Sequence, residues 1–195
     1  MAEVLRSRPA GPQAARARGR SGGIGRATSP PAERVSDDLR RHAGALLDRR
    51  RRVAALSLLA AGAMGGVAAY QNGLVRRLPE PPLELFDAEK VDASGEAYSL
   101  FHTPDASLGI VSYGATLALA GMGARERYVD TPLLPLVLAG KVVFDALGGL
   151  YLTAEQATKH RRFCSWCLVA SVASVAMVPQ VIPEARLALR QLLRR

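Results

Sequence analysis

Residues 49–75 read RRRRVAALSLLAAGAMGGVAAYQNGLV. Four arginines are followed by 23 residues without a formal charge, Val53 to Val75, and a helix of that length crosses roughly 30 Å of hydrocarbon. The stretch is therefore expected to be a first membrane span. The arginines should hold its start on the cytoplasmic side, because basic residues beside a span are retained there. Gly62 and Gly66 stand four apart within it, a spacing that lets a second helix approach closely.

Upstream the chain changes character. Residues 1–52 carry 13 arginines against 5 acids, whereas residues 53–195 carry 13 basic and 12 acidic residues, so almost all of the formal charge of +9 belongs to the N-terminal segment. Residues 1–34 are rich in Arg, Pro, Gly, Ala and Ser, with neither apolar periodicity nor aromatic residues, and are expected to be a disordered basic tail. A solvated basic tail beside a span needs no nucleic-acid partner, and none is expected. It does not read as a secretory signal, since the apolar run that follows is too long and has no cleavage site leading into a soluble domain. Ser36-Asp37-Asp38 marks a helix start, and Leu39, Ala43, Leu46 and Leu47 form one apolar stripe, so 35–52 is expected to be an amphipathic helix on the membrane surface.

Downstream, residues 78–105 hold seven acids against Lys90 alone and should lie outside the cytoplasm, with Pro79, Pro81 and Pro82 keeping the start of the loop extended. A second span is expected over 106–124, ending at Arg125-Glu126-Arg127, and a third over 131–152, opened by Thr131-Pro132. The third contains Lys141 and Asp145 on one helix face. This is either a structural ion pair or a proton or quinone-headgroup contact, and the first is preferred because no third polar group is evident. A fourth span follows over 163–182, broken near its end by Pro179 and Pro183 and trailed by a basic tail, 186–195. Lys159, Arg161 and Arg162 oppose this arrangement locally but are outnumbered at the other face. The fold class is thus all-α: a polytopic four-helix membrane bundle over 53–185 with both termini cytoplasmic.

The only two cysteines, Cys164 and Cys167, stand at C-x-x-C spacing at the outer end of the fourth span. Such a pair is either redox-active, since a helix N-terminus favours the thiolate, or two small buried hydrophobes. A bacterial outer face is oxidising, which favours the first. A closed zinc site needs four ligands and only His102 and His160 could join the thiols, so no metal is expected.

Phe163-Cys164-Ser165-Trp166-Cys167-Leu168-Val169-Ala170-Ser171 resembles the F-C-x-x-C-L-x-[AST]-S signature of the vitamin K epoxide reductase family. Ala88-Glu89-Lys90-Val91-Asp92-Ala93-Ser94, then Tyr98-Ser99-Leu100-Phe101, Pro104, Leu108-Gly109 and Tyr113, is similar to the family's C-x-x-V-x-x-S, Y-S-x-x, P and L-G-x-x-x-Y succession. Order and spacing agree over about 53–185. The resemblance implies a four-span enzyme of the bacterial inner membrane whose thiol pair, facing the periplasm or cell exterior, passes electrons to a membrane quinone (menaquinone or ubiquinone). It implies Cys164, Cys167 and Ser94 as catalytic residues and Cys167, Ser94, Phe163 and Tyr113 as quinone contacts. Cys167, one turn deeper, would meet the quinone, and Cys164, nearer the water, would complete the disulfide.

The chain departs from the family pattern in the first outer loop. Two further cysteines usually relay electrons there from a thioredoxin-like partner; Ala88 occupies the second position and no cysteine lies upstream. Ser171 stands where vertebrate members have a tyrosine, which puts the epoxide reaction itself in doubt. A separate thioredoxin-like dithiol protein would then have to reach Cys164 directly. The alternative is a degenerate membrane scaffold without redox turnover.

Overall fold

The computed structural model describes residues 30–194, and most of the tail expected over 1–34 lies outside them. From Arg34 onward the contacts form one unit. The elements are α1 (Pro30–Arg41), α2 (Ala45–Gln71), α3 (Ala88–Asp92), a 3₁₀ turn (Gly95–Tyr98), α4 (Asp105–Gly121), α5 (Arg127–Asp130), α6 (Leu133–Glu155), a π turn (Gln156–His160) and α7 (Ser165–Leu193). Among the described residues there are helices and no strands; one isolated bridge joins Phe86 to Phe163.

Three helical segments are long and apolar enough to cross a membrane: Ala45–Gln71, Leu133–His160 and Ser165–Leu193. The expected second span corresponds to α4, which has 17 residues and so reaches only about 26 Å, the short end of what a bilayer core requires. α2 packs against both α4 and α7, and α6 packs against α7. The seams are built from small side chains: Ala60, Ala63 and Val67 of α2 meet a surface that includes Ala170, Ala173 and Met177 of α7, all buried. Small residues bring backbones close, and that contact is what drives helix association in lipid. A Cβ on Gly149 would come within 3.1 Å of the Ser171 Cα, so α6 meets α7 there at glycine distance. At Gly66 the neighbour is the Trp166 ring, 2.9 Å from where a Cβ would lie, whereas Gly62 faces open space. Leu58, Leu59, Phe144, Leu147 and Val172 point outward and are exposed, as lipid-facing residues would be.

Three of the four arginines bind backbone carbonyls of other helices or their ends. Arg51 donates to the Leu39 and His42 carbonyls at 2.6–3.2 Å, closing the end of α1. Arg50, 3% exposed, donates to the carbonyls of Ala120, Met122, Gly123 and Ala124 at the end of α4. Arg49 donates at 3.2 Å to the Pro179 carbonyl in α7; that carbonyl lacks its usual intrahelical donor because residue 183 is also proline. Helix C-termini leave unpaired carbonyls and partial negative charge, so guanidinium groups suit them. The two prolines accordingly do not end α7, which continues to Leu193. The stretch 35–52 is divided: α1 stops at Arg41, and Ala45–Arg52 is continuous with the helix that holds the apolar run.

Candidate functional site

Cys164 is the N-cap of α7, and its Sγ accepts a hydrogen bond from the Cys167 N–H at 3.3 Å. The acidic loop builds this helix start. Phe163 N–H donates to the Leu85 carbonyl at 2.9 Å and Asp87 N–H to the Phe163 carbonyl at 3.0 Å. Both Glu80 carboxylate oxygens accept from Ser165 N–H, at 3.1 and 3.2 Å, setting a negative charge on the positive end of α7. The Trp166 indole N–H donates to the Pro79 carbonyl at 2.9 Å, and the π turn contributes Gln156, whose Oε1 accepts from Cys164 N–H at 3.1 Å.

Both cysteines are free thiols. Cys164, expected nearer the water, is 0% exposed beneath this loop, while Cys167 is partly exposed and lines a cavity of about 610 Å³. The cavity lies among α2, α4, α6, α7 and the loop, with Met64, Val67 and Leu108 among its apolar lining and Asp92, Ser94, Tyr113 and Asp145 among its polar lining. Its size and its mixture of apolar wall and few polar groups are those of a small-molecule site.

Of the residues singled out from sequence, Cys167, Ser94 and Tyr113 share this cavity and Phe163 does not. Ser94 precedes the 3₁₀ turn, but its side chain makes no capping bond. Tyr113 and Ser174 hydroxyls are 2.9 Å apart, and Ser174 already donates to the Ala170 carbonyl, so Tyr113 is the donor to Ser174. Lys141 and Asp145 do pair, and the pair has the polar company that the sequence concealed. Ser112 and Thr116, one turn apart on α4, donate to the two Asp145 oxygens at 2.8 and 2.7 Å, and Lys141 donates to both hydroxyls. So complete a set of partners is what a stable intramembrane ion pair requires.

The residue that sequence reasoning missed is Asp92. It counted there only as one loop acid, yet it is 2% exposed and its Oδ1 accepts from the Cys167 thiol at 3.4 Å. The two sulfurs and one Asp92 carboxylate oxygen all lie within 4.8 Å of one another, and neither His102 nor His160 joins this group among the described residues. Gln71 holds the loop in place: its Nε2 donates to the Asp92 carbonyl at 3.1 Å and to Asp105 Oδ1 at 2.8 Å, and its own carbonyl accepts from Tyr98.

A family model described as the vitamin K epoxide reductase family matches residues 51–182. The chain belongs to the vitamin K epoxide reductase family. No curated protein matches it. The family is one of membrane oxidoreductases working between thiols and quinones, and three apolar helices together with the family make this an integral membrane protein. The matched region includes both cysteines, Ser94 and Asp92. It also includes Ala88, whose side chain is buried in the core cluster that contains Cys164 and Val91.

Burial pushes the Asp92 carboxyl up to about 6, against smaller opposing contributions from the neighbouring Cys164 and Cys167 thiols. Between pH 3.8, the ordinary value, and about 6 the folded chain binds a proton that the unfolded chain does not. This group therefore lowers stability as pH rises through that window, and the full cost persists above it. The difference between those two values corresponds to on the order of 3 kcal/mol. Asp92→Asn should accordingly melt roughly 5–10 °C higher than the wild type at pH 7.5, with the gain vanishing near pH 4. Trp166 fluorescence melting of detergent-solubilised protein checks this; a gain independent of pH would contradict it.

Proposed function

We propose that this protein is a membrane thiol–quinone oxidoreductase that forms a disulfide between Cys164 and Cys167 and passes the electrons to a membrane quinone. The observation that carries the proposal is Cys167 at the start of α7, with Cys164 as its N-cap, opening onto the cavity that Ser94 and Tyr113 also line. The cavity suits a quinone ring by size and by its apolar lining, and Ser94 offers a hydroxyl not spent on capping. The Cys167 sulfur would be oxidised by the quinone bound there, and Cys164 would close the disulfide from behind. The basic residues at the start of α2 and the end of α7, against the acidic loop, favour four crossings, both termini cytoplasmic and the thiol pair outside. A thioredoxin-like dithiol protein would return electrons to the pair.

Purified protein given a soluble quinone analogue and dithiothreitol is expected to bleach the quinone absorbance catalytically. Cys164→Ala and Cys167→Ala should each fall to the uncatalysed background. Bleaching that survives both substitutions would refute the proposal.

A second reading, a scaffold without turnover, has one observation behind it: Cys164 is fully enclosed and Ala88 supplies no thiol to reach it. Alkylation of intact membranes separates the two. Cysteines that react only after reduction, and whose oxidation depends on quinone, support the enzyme; cysteines that are alkylated equally without reductant support the scaffold.

A further inference from the structure

Asp92 is a buried carboxylate with no ion-pair partner among the described residues. The charged groups that act on it are Asp105 at the start of α4 and Glu80 in the loop, both acidic; the π turn packed against α3 brings Lys159 and His160 to the same cavity, and the thiol bonded to Asp92 is that of Cys167, with the Cys164 sulfur within 4.8 Å. On α2 the Asp92 charge also acts on the Tyr70 hydroxyl. A carboxylate held in such surroundings without a counter-charge is costly, and acids perturbed by burial beside a reactive group cluster at functional sites. Its two oxygens are differently employed. Oδ1 accepts from the Cys167 thiol at 3.4 Å, while Oδ2 is buried without any hydrogen-bond partner. Asp92 also lines the same cavity as Cys167.

We propose that Asp92 is a catalytic residue: it takes the proton of Cys167 on the thiol side and delivers it to the quinone oxygen on the cavity side. The inference deepens the thiol–quinone reading and depends on it. In the balanced step, the two S–H bonds of Cys164 and Cys167 break and one S–S bond forms. Two electrons and two protons pass to the quinone, where two O–H bonds form. Asp92 handles one of those protons and is unchanged at the end of the cycle. The Gln71 bonds to the Asp92 backbone carbonyl and to Asp105 fix the backbone that carries this carboxyl beside Cys167.

The test uses full-length protein in detergent with a soluble quinone and dithiothreitol, and reads the pH–rate profile together with alkylation of reduced Cys167. In the wild type the rate should rise with pH around 6 and fall at least twofold in deuterated solvent. Asp92→Asn should lower quinone reduction about tenfold or more and abolish the rise near pH 6, while Cys167 is alkylated no more slowly than in the wild type. Asp92→Glu, which restores a carboxyl, should recover part of the rate. Asp92→Asn that keeps the wild-type rate and profile overturns the relay and leaves the thiol–quinone reading intact; so does loss of rate accompanied by equal loss of Cys167 alkylation. A wild type that reduces no quinone overturns both.

Discussion

Arg127→Ala is expected to destabilise the protein by about 3–5 kcal/mol, a fall in melting temperature on the order of 10 °C. The Arg127 side chain is 0% exposed, and its fork meets both Glu184 oxygens at 2.8 Å. Its remaining nitrogen donates to the Leu119 and Met122 carbonyls at the end of α4. Removal leaves the Glu184 carboxylate buried opposite nothing and takes the side-chain donor from the Leu119 carbonyl, while the Met122 carbonyl keeps Arg50, and this costs far more than the pair contributes when intact. The double replacement Arg127→Met with Glu184→Leu should therefore recover more than half of the loss. Melting curves of the three variants decide it. A single variant as stable as the wild type would mean that water or a neighbouring cation reaches Glu184.

The second large effect concerns the thiols. In reduced protein, a small alkylating reagent should modify Cys167 roughly a hundredfold faster than Cys164, since reaching an enclosed thiol requires a local opening of about 3 kcal/mol. Cys164 is 0% exposed and is covered by the loop that pairs with Phe163 and caps α7 through Glu80. Glu80→Ala removes that cap and should narrow the difference by accelerating Cys164 alone. Peptide mass spectrometry after timed labelling provides the rates, and equal labelling in the wild type would refute the arrangement. The expected order also bears on electron supply: a protein dithiol that attacks Cys164 must first displace the segment around Leu85–Asp87.

Much of the site was visible in sequence because its chemistry sits in short, local patterns. The C-x-x-C spacing puts Cys164 and Cys167 about one turn apart by helical geometry alone, whereas the helix start at Ser165, which makes Cys164 the N-cap, came from the structure. Ser94 and Tyr113 followed from motif order. Asp92 did not, because a loop of seven acids offers no sign of which one turns inward; only the Gln71 anchor and the docking of α3 beside α7 bury it. Ser112 and Thr116 stayed hidden for a similar reason. Hydroxyls inside an apolar run read as neutral until a facing helix presents Lys141 and Asp145 to them.

By itself the sequence determined that the chain is helical and membrane-embedded, since 23 uncharged residues after four arginines leave few alternatives in water or in lipid. It also determined that any thiol redox chemistry of these residues belongs to one cysteine pair, there being no other thiols among them. Tertiary structure alone decided the rest. The four arginines look identical in sequence, yet Arg50 and Arg51 close the ends of two different helices and Arg49 serves a proline-orphaned carbonyl within α7. Which thiol faces the cavity, and which acid touches it, likewise depend on contacts between residues as far apart as Asp92 and Cys167. Local spacing sets what a residue can do, and only packing brings distant partners within bonding distance of it.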